Sequence, residues 1–244
     1  MKLDGKIALI TGASRGIGKE ISKEFLKNGA IVIINYRNDT EYGDKTFNEL
    51  NQYGIVERFI GDVSDEEFVV SMIDSIIKKY GKIDILVNNA GISSFNMLVD
   101  TTINDFNNIM DINFKSVYLL SREVLKSMMY EKGVILNISS MWGEYGSSCE
   151  VLYSASKGAV NAFTKALAKE VSPMGVRVNG IAPGAIDTDM NKHFTEDERK
   201  DIEEMCLLGR LGTVEEIAKV ALFLCSDDSS FITGEIVSVT GGKI

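Results

Sequence analysis

Runs of apolar residues alternate along this chain with amphipathic stretches. The apolar runs are rich in isoleucine and valine, and they predict strands at Ile7–Ile10, Ile31–Ile34, Val56–Ile60, Ile83–Val87, Val134–Ile138, Val176–Ile181 and Ile236–Val239. The stretches between them have the periodicity of helices, for example over Gly18–Lys27, Asp65–Lys79 and Val160–Val171. Strands that are apolar on both faces and separated by helices indicate a parallel sheet that is covered on both sides.

The order of these elements also predicts how the chain is organised. Crossovers between parallel strands are right-handed, so a doubly wound α/β fold of the Rossmann type, with about seven strands, is expected. The 244 residues contain no internal repeat and no linker-like segment. We therefore expect one nucleotide-binding domain over residues 1–244. The charged interruption Ala185–Leu211, which contains His193, is interpreted either as a lid over the site or as a solvated helical insert.

Composition and charge exclude several classes of protein. The formal net charge of −9 disfavours sequence-independent binding to nucleic acid, which depends on lysine and arginine. The amino terminus lacks a signal-peptide pattern, and no apolar stretch approaches the ~18 residues of a membrane span. The cysteines, Cys149, Cys206 and Cys225, are scattered and odd in number. We expect a cytoplasmic protein with reduced thiols, without a metal site, that binds neither nucleic acid nor a membrane.

A glycine-rich turn, Thr11–Gly18, follows the first strand and leads into a helix. Gly12 permits a tight turn, Gly16 lets the backbone approach a pyrophosphate, and Gly18 lets the helix pack closely on the strand. The N–H groups at the start of the helix attract an anion. The glycine spacing differs from G-x-G-x-x-G, and a purely structural turn would also use glycine. Its place after the first strand favours a dinucleotide site.

The end of the second strand bears on the choice of dinucleotide. A site selective for NAD usually has an acidic residue here, to bind the ribose 2′-hydroxyl. This chain has Arg37 instead, and Arg15 lies in the glycine-rich turn, so two guanidinium groups are available for a 2′-phosphate. These residues predict NADPH, with NADH less favoured. In the alternative interpretation Arg37 only starts a solvated loop, since Asp39 and Glu41 follow closely.

Tyr153 and Lys157 are four residues apart, which places them on one face of a helix. A free tyrosine has a pKa of ~10 and is a poor acid–base catalyst at neutral pH. An ammonium group one turn away favours the phenolate, so we expect Lys157 to lower the pKa of Tyr153. The same spacing also occurs on ordinary amphipathic surfaces, so the pair alone does not establish a site.

Several further motifs occur in a fixed order along the chain, and they are Asp62-Val63, Asn88-Asn89-Ala90-Gly91, Asn113, Ser139-Ser140 and Pro183-Gly184. With the glycine-rich turn and the Tyr153–Lys157 pair, they make the chain resemble the short-chain dehydrogenase/reductase family from Lys6 to Gly242. Within that family it is similar to 3-oxoacyl-acyl-carrier-protein reductases. The resemblance implies reduction of a ketone to a secondary alcohol by NADPH, a place in fatty acid biosynthesis, and a homotetramer with an interface around Asn113–Met129 and Tyr153–Val171.

The resemblance also assigns roles to individual residues. Tyr153 would donate a proton to the substrate oxygen, and Lys157 would hold the nicotinamide ribose. Ser140 would hydrogen-bond the carbonyl, and Asn113 would hold a water that passes protons to Lys157. The implied cofactor-binding residues are Gly12, Ser14, Arg15, Gly16, Ile17, Gly18, Arg37, Asp62, Val63, Asn89, Ala90, Gly91, Tyr153, Lys157, Pro183, Gly184, Ile186 and Thr188.

The identity of the ketone stays open between two substrates. Reductases of acyl carrier protein commonly have basic residues near the mouth of the site, whereas this chain has Glu131 and Met174 there, although Lys126 and Lys132 are near. The net charge of −9 also opposes association with that acidic carrier.

The segment Met141–Val151 should line the substrate side, together with Ser140 and Tyr153. It resembles a subgroup that reduces an aminopentanone group on a lysine of elongation factor P. Glu144 or Glu150 could pair with the amine of that substrate, or both could be solvated loop residues. A third hypothesis, a non-catalytic NADPH-binding scaffold, conflicts with the intact set of Asn113, Ser140, Tyr153 and Lys157.

Overall fold

The fold is seen in a computed structural model that describes residues 1–38, 40–188 and 195–242. Its strands are β1 Ile7–Thr11, β2 Ile31–Tyr36, β3 Val56–Ile60, β4 Ile85–Asn88, β5 Gly133–Ile138, β6 Val176–Pro183 and β7 Ile236–Val239. Within these ranges they form one seven-stranded sheet in the order β3-β2-β1-β4-β5-β6-β7, and all six neighbouring pairs are parallel.

Helices connect the strands. They are α1 Gly16–Lys27, α2 Thr40–Leu50, α3 Glu66–Tyr80, α4 Ile103–Met110, α5 Ser116–Glu131, α6 Trp142–Tyr145, α7 Val151–Val171, α8 Glu196–Met205 and α9 Val214–Cys225. A π-helical segment, Asp111–Lys115, joins α4 directly to α5, so that the three form one long helix.

Both faces of the sheet are covered, as the apolar strands predict. The side chains of Ala8 and Ile10 in β1 belong to a core that includes residues of α1 and α9. Those of Ile7 and Leu9 belong to a second core, with residues of α3, α5 and α7. Since alternate residues of a strand point to opposite faces, each face of β1 is buried. The predicted doubly wound α/β fold is confirmed.

The bounds of α3 illustrate how local sequence sets an element. The carboxylate of Asp65 accepts hydrogen bonds from the N–H groups of Glu67 and Phe68, so it caps the start of the helix. Gly81 ends it with a left-handed φ of 81°, which glycine adopts without strain. Strand β4 begins at Ile85, two residues later than the predicted Ile83. Just before it, the carboxylate of Asp84 accepts the N–H of Ile7 at 2.9 Å.

The topology places a site at one edge of the sheet. The chain winds outward in both directions from the neighbouring strands β1 and β4, and ligands of such sheets bind at the carboxyl ends of the strands near that point. Within the predicted lid Ala185–Leu211, α8 is exposed, and its Arg199 pairs with Asp187 at 3.2 Å. Residues 189–194, among them His193, lie outside the described residues. None of the described helices has the length and apolar character needed to cross a membrane.

Candidate active site

A cleft of about 790 Å³ opens where β1, β4, β5 and β6 end. The predicted site residues that line it are Gly12, Arg15, Gly16, Ile17, Asn89, Ala90, Gly91, Ser140, Tyr153, Lys157, Pro183, Gly184, Ile186 and Thr188. Those placed outside its lining are Ser14, Gly18, Arg37, Asp62, Val63, Asn113, Glu144 and Glu150. The fold therefore brings most of the predicted cofactor residues and three of the four predicted catalytic residues into one cavity.

The glycine-rich turn and the end of β4 are built against each other. A Cβ on Gly12 would lie 2.8 Å from the Cα of Ala90, so only glycine fits there. A Cβ on Gly18 would lie 2.5 Å from the Nδ2 of Asn89. That amide donates to the backbone oxygens of Thr11, at 2.8 Å, and Gly12, at 3.0 Å. Asn89 therefore holds the turn in place, which explains why Gly18 is needed although it does not line the cleft.

The turn fits the pyrophosphate of a dinucleotide. Arg15 is the N-cap of α1 but makes no side-chain capping bond, and the first turn contains no acidic residue. Gly16 has a φ of 58°, and a Cβ there would meet only the Cγ2 of Thr188, at 3.9 Å, within 4 Å. A helix amino terminus with this open approach attracts an anion through its N–H groups and its dipole.

Two arginine side chains lie near the predicted ribose end of the cleft. The guanidinium of Arg15 lies 5.5 Å from the ring centroid of Tyr42, and both residues line the cleft. Arg37 lies outside the lining, where its Nε pairs with the Oδ2 of Asp62 at 3.0 Å. Burial acts to raise the pKa of Asp62, but hydrogen bonds from Ser64 and the charge of Arg37 outweigh it and lower that pKa.

Tyr153 and Lys157 both lie near the start of α7, as predicted. The side chain of Tyr153 lines the cleft together with that of Ser140. The Oγ of Ser140 accepts the backbone N–H of Trp142 at 3.2 Å. The Nζ of Lys157 donates to the backbone oxygen of Ile138 at 2.9 Å and lies 5.8 Å from the Tyr153 ring centroid.

The pKa of Tyr153 differs from the expectation based on its spacing to Lys157. Burial is the largest cause and raises the pKa of Tyr153 to about 12. The nearby hydroxyl of Ser140 lowers it, while the charge of Glu150 raises it. The prediction of a lowered tyrosine pKa is wrong for this state of the protein, because removal of the phenolate from water outweighs any nearby cation. The phenol of Tyr153 is thus protonated at physiological pH.

Lys157 is fully buried among the groups that surround Tyr153. Burial lowers the pKa of Lys157 to about 8, because the interior disfavours the ammonium form. A Cβ on Gly91 would lie 3.3 Å from the Nζ of Lys157, and one on Gly143 would lie 2.7 Å from its backbone carbon. Gly143 was not singled out by the sequence, yet its missing side chain lets α6 pack directly on α7.

Asn113 lies behind the cleft, in the π-helical segment, and is fully buried. Its Oδ1 accepts the N–H of Ile92 at 2.8 Å, and its Nδ2 donates to the oxygen of Ile92 at 2.8 Å and to the Oγ of Ser156 at 3.0 Å. The side-chain amide therefore bonds the loop after β4 and the helix α7. The predicted role of Asn113 in holding a water stays a prediction.

The substrate side of the cleft contains residues that the sequence did not reveal. Ser93, Ser94 and Phe95 line it, and Phe95 is 71% exposed. They follow the Asn88–Gly91 motif directly, so the end of β4 could have pointed to them. Glu144 is exposed in α6, and Glu150 is partly buried just before α7. No group of residues suited to hold a metal occurs in the described parts of the chain.

Comparisons with known proteins give a consistent result over the full length. Residues 12–243 match the family model described as enoyl-(acyl carrier protein) reductase. The chain is 40% identical over 240 residues to the uncharacterized oxidoreductase YmfI of Bacillus subtilis, which covers 97% of this chain and 98% of that one. It is 39% identical over 246 residues to the 3-oxoacyl-[acyl-carrier-protein] reductase FabG of Escherichia coli, with 99% and 98% covered.

A similar protein from Thermotoga maritima, also a 3-oxoacyl-[acyl-carrier-protein] reductase FabG, is 37% identical over 245 residues, with 100% of both chains covered. Among solved structures, a candidate short-chain alcohol dehydrogenase from Sinorhizobium meliloti 1021 superimposes with a TM-score of 0.94. It is 33% identical, and the match covers 99% of this chain and 97% of that one.

Proposed function

This chain belongs to the short-chain dehydrogenase/reductase family of oxidoreductases, which use a nicotinamide cofactor, and on that premise we propose that it reduces a 3-oxoacyl thioester on acyl carrier protein with NADPH. One observation carries the proposal. Tyr153 and Ser140 line the same cleft as the glycine-rich turn, and the Nζ of the buried Lys157 lies 5.8 Å from the Tyr153 ring centroid. Since the family is one of enzymes, a non-catalytic scaffold is not supported.

Each residue contributes a distinct part of the reaction. A bound nicotinamide cofactor supplies the hydride to the carbonyl carbon. Tyr153 transfers its phenolic proton to the carbonyl oxygen, so the product is a neutral secondary alcohol. Ser140 donates a hydrogen bond to that oxygen as negative charge develops on it. The ammonium of Lys157 stabilises the phenolate left on Tyr153, because opposite charges in a buried site attract strongly.

The preference for NADPH rests on the charges around the ribose end of the cleft. No acidic residue ends β2, and Arg15 lines the cleft with its guanidinium over the ring of Tyr42. Arg37 follows β2 directly, outside the lining, where it pairs with Asp62. A guanidinium group binds a phosphate through two parallel hydrogen bonds, and an aromatic face beneath it limits its motion. Both features favour a cofactor with a 2′-phosphate over one with a free 2′-hydroxyl.

The proposed acyl substrate follows the names of the similar reductases and the nature of the lining. Phe95 provides an exposed apolar wall beside Ser93 and Ser94, where an acyl chain can lie. The second candidate is the aminopentanone group on elongation factor P. It is favoured by the exposed carboxylate of Glu144 and by the net charge of −9, which opposes an acidic carrier.

We also propose that the protein is a single Rossmann domain that assembles as a homotetramer. Helix α5 leaves Tyr118, Met129 and Tyr130 exposed by 43%, 38% and 84%. Apolar side chains exposed along one helix are typical of a surface that another subunit covers.

The decisive experiment follows NADPH oxidation with acetoacetyl-acyl carrier protein as substrate. We expect Tyr153→Phe to lower kcat by a factor of ~10² to 10⁴, because the proton donor is lost. NADPH binding, measured by fluorescence titration, should stay within a factor of about two, since the phenolic hydroxyl is not the main cofactor contact. Tyr53→Phe, which loses a hydroxyl outside the cleft, is the matched control. A loss of tenfold or less in Tyr153→Phe would refute the assigned role.

The same assay distinguishes the two substrates when ketone-modified elongation factor P replaces the carrier. Charge reversal in Glu144→Lys should reduce kcat/KM by about fivefold for the amine-bearing substrate alone, because one close ion pair is worth roughly 1 kcal/mol. Asp74→Lys, on the exposed face of α3, is the control for net charge. If wild type turns over only the carrier thioester, the second candidate is eliminated.

A further inference from the structure

We infer that Ser156 is a positioning residue of the proposed reductase, whose buried hydroxyl couples α7 to Asn113 and thereby to the loop that lines the cleft. The inference rests on the proposed function. Ser156 lies between Tyr153 and Lys157 in the sequence, but its side chain is buried in the protein. It does not line the cleft, and no role was assigned to it from the Tyr153-x-x-x-Lys157 motif.

The hydroxyl of Ser156 makes two hydrogen bonds in a fully buried position. It donates to the backbone oxygen of Tyr153 at 2.7 Å, within α7. It accepts from the Nδ2 of Asn113 at 3.0 Å, across the gap between two helices. Ser156 and Asn113 are each 0% exposed, so water cannot replace either partner.

Asn113 extends this connection to the cleft. Its amide also holds both backbone groups of Ile92, which begins the stretch Ile92–Phe95 that lines the cavity. One side chain therefore links the loop after β4 to α7, and Ser156 is the point of attachment on α7. Without the serine oxygen the Nδ2 of Asn113 keeps only its bond to Ile92. The loop after β4 is then no longer connected to α7 through this amide.

The distances around Lys157 explain why this attachment affects the reaction. A Cβ on Gly91 would lie 3.3 Å from the Nζ of Lys157 and 3.4 Å from the Oδ1 of Asn113. The Nζ of Lys157 and the Oδ1 of Asn113 thus border the same small space beside Gly91. A shift of Asn113 changes that space directly. Catalysis depends steeply on such positions, so the effect falls on kcat and on the titration of Lys157 rather than on substrate binding.

Thr164 offers a matched control on the same helix. Its hydroxyl also donates to a backbone oxygen of α7, that of Val160 at 2.8 Å. It also accepts from a buried asparagine amide, the Nδ2 of Asn137, at 2.8 Å. Thr164→Ala therefore removes the same pair of hydrogen bonds as Ser156→Ala, but about two turns further from the cleft.

The test compares Ser156→Ala with Thr164→Ala. We expect Ser156→Ala to lower kcat by roughly ten- to a hundredfold, with KM for NADPH changed less than about twofold. The alkaline limit of the kcat/KM profile should shift only in Ser156→Ala, because that limit reflects Lys157. Thr164→Ala should keep kcat within about twofold of wild type. If the two variants changed kcat equally, Ser156 would have only a structural role, and the inference would be wrong.

Hydrogen exchange gives a readout that does not need turnover. The N–H of Ile92 donates to Asn113, so Ser156→Ala should speed its exchange by at least about tenfold, whereas Thr164→Ala should not. Unchanged exchange at Ile92 would also overturn the inference. If wild type reduces no ketone, the proposed function is wrong. The exchange rates at Ile92 still show whether Ser156 couples α7 to the loop after β4. Should Ser156→Ala not fold, Ser156→Cys, with a similar volume and weaker hydrogen bonds, takes its place.

Discussion

At the scale of single residues, Tyr153 and Lys157 show how burial acts on neighbouring groups of opposite type. Burial raises the pKa of Tyr153 to about 12 and lowers that of Lys157 to about 8. Both shifts favour the neutral form. The tyrosine therefore stays protonated, as the proposed reduction requires, while the lysine titrates close to physiological pH, where small changes in its surroundings alter its charge.

This shift of Lys157 predicts how stability depends on pH. Its folded pKa of about 8 lies below the ordinary 10.5, so between these values the unfolded chain binds more protons and stability rises with pH. Above pH 10 the raised pKa of Tyr153 acts in the opposite direction, which leaves a window from pH 8 to 10. Between pH 8 and pH 10 we expect the free energy of unfolding of wild type to rise by up to about 3 kcal/mol, and that of Lys157→Met to rise less.

Urea unfolding at pH 7, 8 and 9.5 measures this difference. Lys165→Met, which removes an exposed lysine from the same helix, controls for the loss of one positive charge. If the free energy of unfolding of Lys157→Met follows the wild-type pH profile, Lys157 does not titrate as described.

At the scale of elements, the junction of α6 with α7 depends on an absent side chain. A Cβ on Gly143 would lie 2.7 Å from the backbone carbon of Lys157, too close for either helix to stay in place. Gly158, which follows Lys157 in α7, has room for a methyl group, since a Cβ there would make only an ordinary contact with the oxygen of Gly143 at 3.5 Å. Both glycines lie at the contact between α6 and α7, but only Gly158 leaves room for a larger side chain.

Gly143→Ala should destabilise the protein by about 1 to 3 kcal/mol, because a contact between backbones cannot relax by moving a side chain. Gly158→Ala should instead stabilise it by up to about 1 kcal/mol, since alanine favours helix more than glycine does. Thermal and urea unfolding of both variants measure the difference. A stabilised Gly143→Ala would contradict the close packing of α6 on α7.

Most strands and helices could be predicted from the sequence, and the physical reasons for this also explain the exceptions. Strands such as β1 are apolar on both faces, so their composition reveals them. The π-helical segment Asp111–Lys115 could not be predicted, because its extra residue leaves the apolar periodicity on either side intact. Motif order identified Asn89 and Ser140, whereas Tyr42 reaches the cleft only through the tertiary path of α2. The raised pKa of Tyr153 could not be predicted, because the spacing of residues in the sequence does not show how deeply a side chain is buried.

At the scale of the whole molecule, Arg177 connects the last part of the chain to the sheet. Its guanidinium donates to the backbone oxygens of Leu224 at 3.0 Å, Ser226 at 3.0 Å and Ile232 at 3.2 Å. These oxygens lie at the end of α9 and in the connection to β7, whereas Arg177 belongs to β6. One side chain thus binds three backbone oxygens of this connection to the sheet.

Arg177→Met should lower the free energy of unfolding by about 3 kcal/mol, because bonds from a charged donor to carbonyl oxygens are lost together. Arg199→Met, which removes an exposed arginine from α8, should leave the urea midpoint unchanged within error. Chemical unfolding of the two variants makes the comparison. Equal midpoints for the two would show that Arg177 does not connect these parts of the fold.

The π-helical segment has a consequence for how this chain can change in length. A π-helical turn holds one residue more than an α-helical turn, so the helix from Ile103 to Glu131 behaves as an α-helix with a single-residue insertion. Deleting Ile112 would restore regular winding and rotate α4 against α5 by about 100°. Asn113 could then no longer reach Ile92 and Ser156 together. A homologue with a one-residue gap at this place should therefore have lost the link between its catalytic helix and the cleft, whatever motifs it retains.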